Sequence, residues 1–194
     1  MSKSKRIAIV SVMSALATVM MFIEFPIFPQ ASFLKFDPSE IVALITGFMV
    51  GPLAGVLVVL VKDVLFFFAK SGDIIGITMN FIAGASFVFL STLWYKWKRT
   101  RRVAVISMTV ATVVSSLVMV MLNVVVVPIY FKMTLEEIAG WAKMSVPQFL
   151  SIILAFNLIK FGSVSLITVP IYKRVSSFFK VSLEDGLQER RIEE

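Results

Sequence analysis

Cysteine and histidine are both missing from the 194 residues. Their absence removes disulfides, thiolate nucleophiles, imidazole bases and histidine-ligated metals, and with them most catalytic repertoires. Charge is scarce as well: 16% of the chain is Asp, Glu, Lys or Arg, against 58% hydrophobic residues. A soluble domain does not stay in solution with that balance. The chain also lacks a nucleotide-binding glycine-rich loop, a paired-carboxylate or nucleophile motif, and an internal repeat. An enzyme is therefore not expected, nor a bound metal or resident cofactor, and any ATP hydrolysis has to take place in another subunit.

What is present is a set of long apolar runs, several of them close to the ~20 residues needed to cross ~30 Å of hydrocarbon. The chain reads as an all-α polytopic membrane protein with six transmembrane helices and both termini in the cytoplasm. Residues 1–180 form a single transmembrane substrate-binding domain, followed by a charged C-terminal tail at 181–194. The net charge of +7 is no nucleic-acid signal, because thirteen of the nineteen basic residues fall in three segments that this topology places on one side. The first segment holds Lys3, Lys5 and Arg6; the second Lys96, Lys98, Arg99, Arg101 and Arg102; the third Lys173, Arg174, Lys180, Arg190 and Arg191. Basic residues gather on the cytoplasmic side of membrane helices.

The first helix is expected over residues 7–23, with small residues Ala8, Ser11, Ser14, Ala15 and Thr18 along one side. Small residues at four-residue spacing let another helix come close, and Ser11 with Ala15 is the sharpest such pair, for a neighbour inside or outside the bundle. Residues 24–37 form an external loop with Phe25, Phe28, Phe33 and Phe36, either an interfacial belt or a lid over a site. Asp37-Pro38-Ser39-Glu40 reads as a helix start with Asp37 as the cap. The short second helix, 39–50, ends at the Gly51-Pro52 hairpin. The third helix follows over 52–69, the fourth over 76–97 and the fifth over 103–130. A short amphipathic helix lies outside at 134–143, and the sixth crossing takes 146–172.

A few polar side chains interrupt these runs. Ionisable groups at bilayer depth cost ~2.5 to 3.5 kcal/mol on insertion scales and mark functional sites. Asn157 and Lys160 are three apart and share a helix face. Counted at ~1.5 Å per residue, Asn80 and Asn157 both lie about 24 Å above their basic anchors and Lys160 about 20 Å, and Lys62 with Asp63 lie about 15 to 17 Å above Pro52. Asn123 lies near the outer surface. Three amides, a lysine, a nearby acid and many aromatics suit a flat heteroaromatic whose edge alternates carbonyls and N–H groups. The structural alternatives are that Asn157 joins helices, that Lys160 snorkels or meets a buried acid, and that Asp63 only pairs with Lys62 or Lys160.

Taken in order, Ser11-Val12-Met13-Ser14-Ala15, Gly51-Pro52-Leu53-Ala54-Gly55, Val61-Lys62-Asp63, Asn80-Phe81-Ile82-Ala83-Gly84, Asn123, and Asn157 with Lys160 resemble the riboflavin-specific S components (the RibU family) of energy-coupling factor (ECF) transporters. The resemblance spans about residues 3–180. It implies riboflavin as the transported ligand, with Asn123, Asn157 and Lys160 on the isoalloxazine, Asn80 and Asp63 nearby, and Phe33 and Leu34 as cover. It also implies a place in the cell membrane of a prokaryote, a membrane coupling subunit with two ABC-type ATPases as partners, and a small-residue docking contact that falls here on Ser11 and Ala15. An S component for a different vitamin and an ion-coupled secondary transporter, with Asp63, Lys62 and Lys160 as a relay, are the competing readings. The transporter of that second kind usually carries inverted repeats and broken helices, which the sequence does not show.

Overall fold

The computed structural model describes residues 1–70, 73–98 and 100–192, with side chains as far as Ile171. Ser71 and Gly72, Arg99, the third basic segment and the charge of the expected tail lie outside the described residues or side chains. Seven helices follow in order among the described residues: α1 (Lys3–Met21), α2 (Ser39–Val50), α3 (Pro52–Lys70), α4 (Ile74–Leu93), α5 (Arg101–Phe131), α6 (Leu135–Trp141) and α7 (Val146–Ile192). Five of these helices, α1, α3, α4, α5 and the stretch Val146–Ile171 of α7, are long and apolar enough to cross a membrane.

Local chemistry places most of the boundaries. Asp73 accepts the backbone N–H groups of Ile75 and Gly76 at the start of α4, and Thr100 accepts that of Val103 at the start of α5. Thr134 and Glu137 form a reciprocal cap on α6. The fourth helix stops at Leu93, earlier than the aromatic run suggested, and 94–97 form a turn. Tyr95 folds inward there against Phe48, with ring centroids 4.8 Å apart, while Trp94 and Trp97 stay exposed. The helical backbone of α7 continues to Ile192, through the boundary expected at 181.

The short α2 is the hub. Ten consecutive residues, Ser39 to Phe48, are buried, and the helix packs against α1, α3, α4 and α7. A helix apolar on all sides has to be enclosed. At twelve residues it is about 18 Å long, well short of the ~30 Å hydrocarbon thickness, so its outer end begins deep inside the bundle. The hairpin that joins it to α3 turns at Gly51, whose φ of +132° favours a residue without a β-carbon. One turn on, a Cβ at Gly55 would lie 2.6 Å from Val88 Cγ1 and 2.9 Å from the Ala43 carbonyl oxygen. Glycine there lets α2, α3 and α4 meet with their backbones close.

The loop above α2 is ordered rather than irregular. Phe25–Pro26 (β1) and Lys35–Phe36 (β2) pair antiparallel, and Phe25 rests on Phe36 with ring centroids 5.4 Å apart. Glu24 closes the base of this hairpin, accepting from Lys35 at 2.7 Å and also from Lys70 at the end of α3. Partial burial pushes the Glu24 carboxyl up, but the two ammonium partners outweigh it and hold the group below its ordinary 4.5. A carboxylate lowered on folding stabilises above its ordinary value and is lost as pH falls through the lowered one. Proteolytic cutting of the first loop is therefore expected to stay slow from neutral pH down to about 4.5 and to accelerate in more acid buffer. In Glu24→Gln it should be fast throughout, and a variant as resistant as the parent would show that the clamp contributes nothing.

Candidate functional site

The Glu40, Lys62, Asp63, Asn80 and Lys160 side chains, from four different helices, meet Asp37 from the first loop. Lys160 on α7 donates to Asp37 Oδ2 at 3.0 Å and to Asn80 Oδ1 at 2.8 Å, with Glu40 Oε1 at 3.6 Å. Asn80 on α4 donates to Asp63 Oδ1 at 2.9 Å. Lys62 on α3 donates to the same oxygen at 2.9 Å and lies 3.2 Å from Glu40 Oε1. The orientation of the Asn80 amide is set by its neighbours, since an ammonium can only donate and an ionised carboxylate can only accept. All five ionisable groups are buried, and Asn80 is half-buried.

Such a cluster is held together by necessity. Removing one charge from water costs several kcal/mol, and only close opposite charges offset that. Three carboxylates face two ammonium groups, and Asp63 Oδ2 has no hydrogen-bond partner although it is buried. Gly84 on α4 lets the helices approach, for a Cβ there would sit 3.0 Å from Glu40 Oε1.

The expected site residues divide into two sets. Asn80, Asp63 and Lys160 join the network. Asn157 and Asn123 are buried but turn to their own helices, Asn157 donating to the Ile153 carbonyl and Asn123 to that of Met119, both at 2.8 Å. Each keeps a second amide N–H beyond that bond. Phe33 lies on Phe149 of α7 with ring centroids 6.1 Å apart and is more than half exposed, while Leu34 packs against the core. On α1, Ser11 and Ala15 are exposed, whereas Ser14, Ala17 and Met21 face the bundle. The small pair therefore looks away from the rest of the chain.

Two members of the network, Asp37 and Glu40, entered the sequence reading only as helix-start residues. The same depth count would have found them, because Glu40 lies eleven residues before Gly51 and Lys62 ten after Pro52. Both reach about 15 to 17 Å above one hairpin. A separate open groove of about 730 Å³ lies over the outer end, lined by residues that include Gln30, Trp141, Lys143 and Gln148. None of the seven expected ligand residues lines it.

Comparison with known proteins identifies the scaffold. The model of the family "ECF transporter, substrate-specific component" matches residues 5–172. The chain belongs to this family of S components. Among its relatives, the riboflavin transporter RibU of Staphylococcus aureus is 36% identical over 182 residues, 93% of this chain and 95% of that protein. The riboflavin transporter FmnP of Bacillus subtilis is 32% identical, covering 66% of this chain and 70% of that one. A solved S component of a bacterial ECF transporter superposes with a TM-score of 0.78 at 33% identity, covering 92% and 99% of the two chains. ThiT from Listeria monocytogenes, at 18% identity and a TM-score of 0.64, shares the fold.

The network changes what is expected of Lys160→Met. It would leave Asp37 and Glu40 short of a counter-charge in a dry interior, and breaking a buried pair costs about 3 to 5 kcal/mol. The S component carrying it should melt well below the parent in detergent. Adding Asp37→Asn should recover much of the loss, and a single variant as stable as the parent would show that the ion pair is not maintained.

Proposed function

We propose that this S component is the riboflavin-binding subunit of an ECF transporter in the cell membrane, taking the vitamin from the outer side and passing it inward. The observation that carries the reading is the 36% identity to a riboflavin transporter across 93% of the chain. Six crossings follow if α2 with the first loop above it counts as one, and the basic first and second segments then put both termini in the cytoplasm. Residues 1–180 act as one binding domain. In this reading Asn123, Asn157 and Lys160 take the isoalloxazine edge, Asn80 and Asp63 stand behind them, and Phe33 and Leu34 cover the ring. The buried amides and the ammonium fit a ring edge of carbonyls and nitrogens.

Energy comes from partners, in the form of a membrane coupling subunit and two ABC-type ATPases. Ser11 and Ala15 form the docking contact on α1. Their exposure supports this, since a small pair flanked by the exposed Val12, Leu16 and Val19 leaves a shallow channel for another helix. The chain supplies no metal or cofactor chemistry in this scheme, and riboflavin is cargo.

A titration of the purified protein with riboflavin against a panel of other vitamins tests the ligand. Saturable binding of riboflavin alone is expected, and preference for another vitamin would overturn the assignment. Docking is tested separately. Ser11→Trp or Ala15→Trp should abolish ATP-driven uptake in the assembled transporter, because a bulky ring holds the partner helix away, while riboflavin affinity of the isolated subunit stays near that of the parent. Loss of binding in either variant would place that face inside the bundle's own packing.

A further inference from the structure

Asp37 does more than begin a helix. Its carboxylate is shared, with Oδ1 accepting from the Ser39 backbone N–H at 3.1 Å and from the Ser39 hydroxyl. The other oxygen, Oδ2, accepts from Lys160 at 3.0 Å, from 123 residues along the chain. A helix start needs only the first of these contacts. The second puts a loop residue on a buried cation of α7.

Lysine is a mobile point charge with three equivalent donors on a flexible stem. For one donor to point in a fixed direction, the other two have to be held. Asp37 takes one N–H of Lys160 and Asn80 takes another at 2.8 Å, while Glu40 at 3.6 Å adds charge without a hydrogen bond. One N–H remains. On the reading of Lys160 as a flavin contact, we propose that Asp37 is a positioning residue for ligand recognition: it fixes the Lys160 ammonium so that its remaining N–H faces the ring edge.

The loop that carries Asp37 gives this a further consequence. Phe33 of the same loop rests on Phe149, eleven residues before Lys160 on α7 and so about 16 Å above it. Residues 33–37 therefore connect two points on α7 that lie on either side of Asn157 in height. Seating this strip and aiming the ammonium are one event.

Asp37→Asn separates the two roles, because the amide keeps an oxygen for the Ser39 N–H but turns an NH2 donor, uncharged and unable to accept, toward Lys160. With the full chain in detergent and riboflavin as the probe, affinity should fall on the order of ten- to a hundredfold. The visible absorption band of the bound flavin should move to where it lies in the double variant Asp37→Asn/Lys160→Met, since the ring responds to a cation fixed beside it. In the Lys160→Met background, Asp37→Asn should cost no further affinity. Losses that add, or a bound flavin band unmoved in Asp37→Asn, would overturn the proposal and leave Asp37 a charge-neutralising residue. Should Asp37→Asn alone not fold, equal affinity of Lys160→Met and the double variant is the expected result, and a further loss in the double variant overturns the proposal. A parent chain that binds no riboflavin defeats the functional reading and this inference together, whereas binding by the parent with an unmoved band defeats this inference alone.

Discussion

Two lysines buried among apolar helices impose a condition that much of the bundle meets. An ammonium in hydrocarbon is tolerated only with carboxylates in contact, and Lys62 and Lys160 find theirs on separate elements: Glu40 on α2, Asp63 on α3 and Asp37 in the first loop. Such pairs contribute little net stability, since desolvation consumes most of the attraction. They do select an arrangement. Sliding α2 by one residue along α7 would turn Glu40 away from both ammonium groups, which no alternative packing of leucines and valines would penalise as heavily.

The same condition accounts for the shape of the outer half. Because α2 is too short to reach the surface, its acidic start is delivered at the depth of Lys62 and Lys160, and the chain above it has to fold as a cover. The hairpin of β1 and β2, the Glu24 clamp and the Phe33 contact on Phe149 do this with few residues. A longer α2 would carry Asp37 and Glu40 out to the interface, leaving Lys160 without a carboxylate in contact and Lys62 with Asp63 alone.

Most of the fold was legible in the sequence because hydropathy and capping are local signals. Thr134 with Glu137 and Gly51-Pro52 mark boundaries by chemistry that acts within a few residues, and the structure keeps them, whereas the fourth helix begins at Ile74, two residues before the expected 76, because Asp73 caps it. The depth count put Asn80, Asn123, Asn157, Asp63 and Lys160 in one half of the bundle, since helix rise is nearly constant, and the structure brings Asn80, Asp63 and Lys160 of these into one network. The count missed Asp37 and Glu40, because a residue that fits a helix start has a sufficient local explanation and invites no further question. The ordered hairpin was also out of reach. Two residues on each side give no periodicity, and what fixes them is an ion pair from Glu24 to Lys70, 46 residues away. The orientation of Asn123 and Asn157 toward their own helix backbones depends on rotamers that spacing does not encode.

The network also bears on how the two proposed tasks, binding and docking, can be carried by one small bundle. It joins α2, α3, α4, α7 and the first loop through charged contacts, whereas α1 meets it at Met21, whose sulfur lies 3.7 Å from Lys62 Nζ. A thioether is a weak acceptor, so that contact transmits little. The inward face of α1 is otherwise made of the buried Ser14 and Ala17 with the partly buried Val10, Met13 and Met20, which pack against the bundle through apolar contact. A helix held this way can be pressed or shifted from its exposed side at small cost to the charges behind it. On the proposed docking role, the exposed face with Ser11 and Ala15 meets another subunit while Lys160 keeps its place, and the proposed separation of docking from binding rests on where the ionic contacts stop.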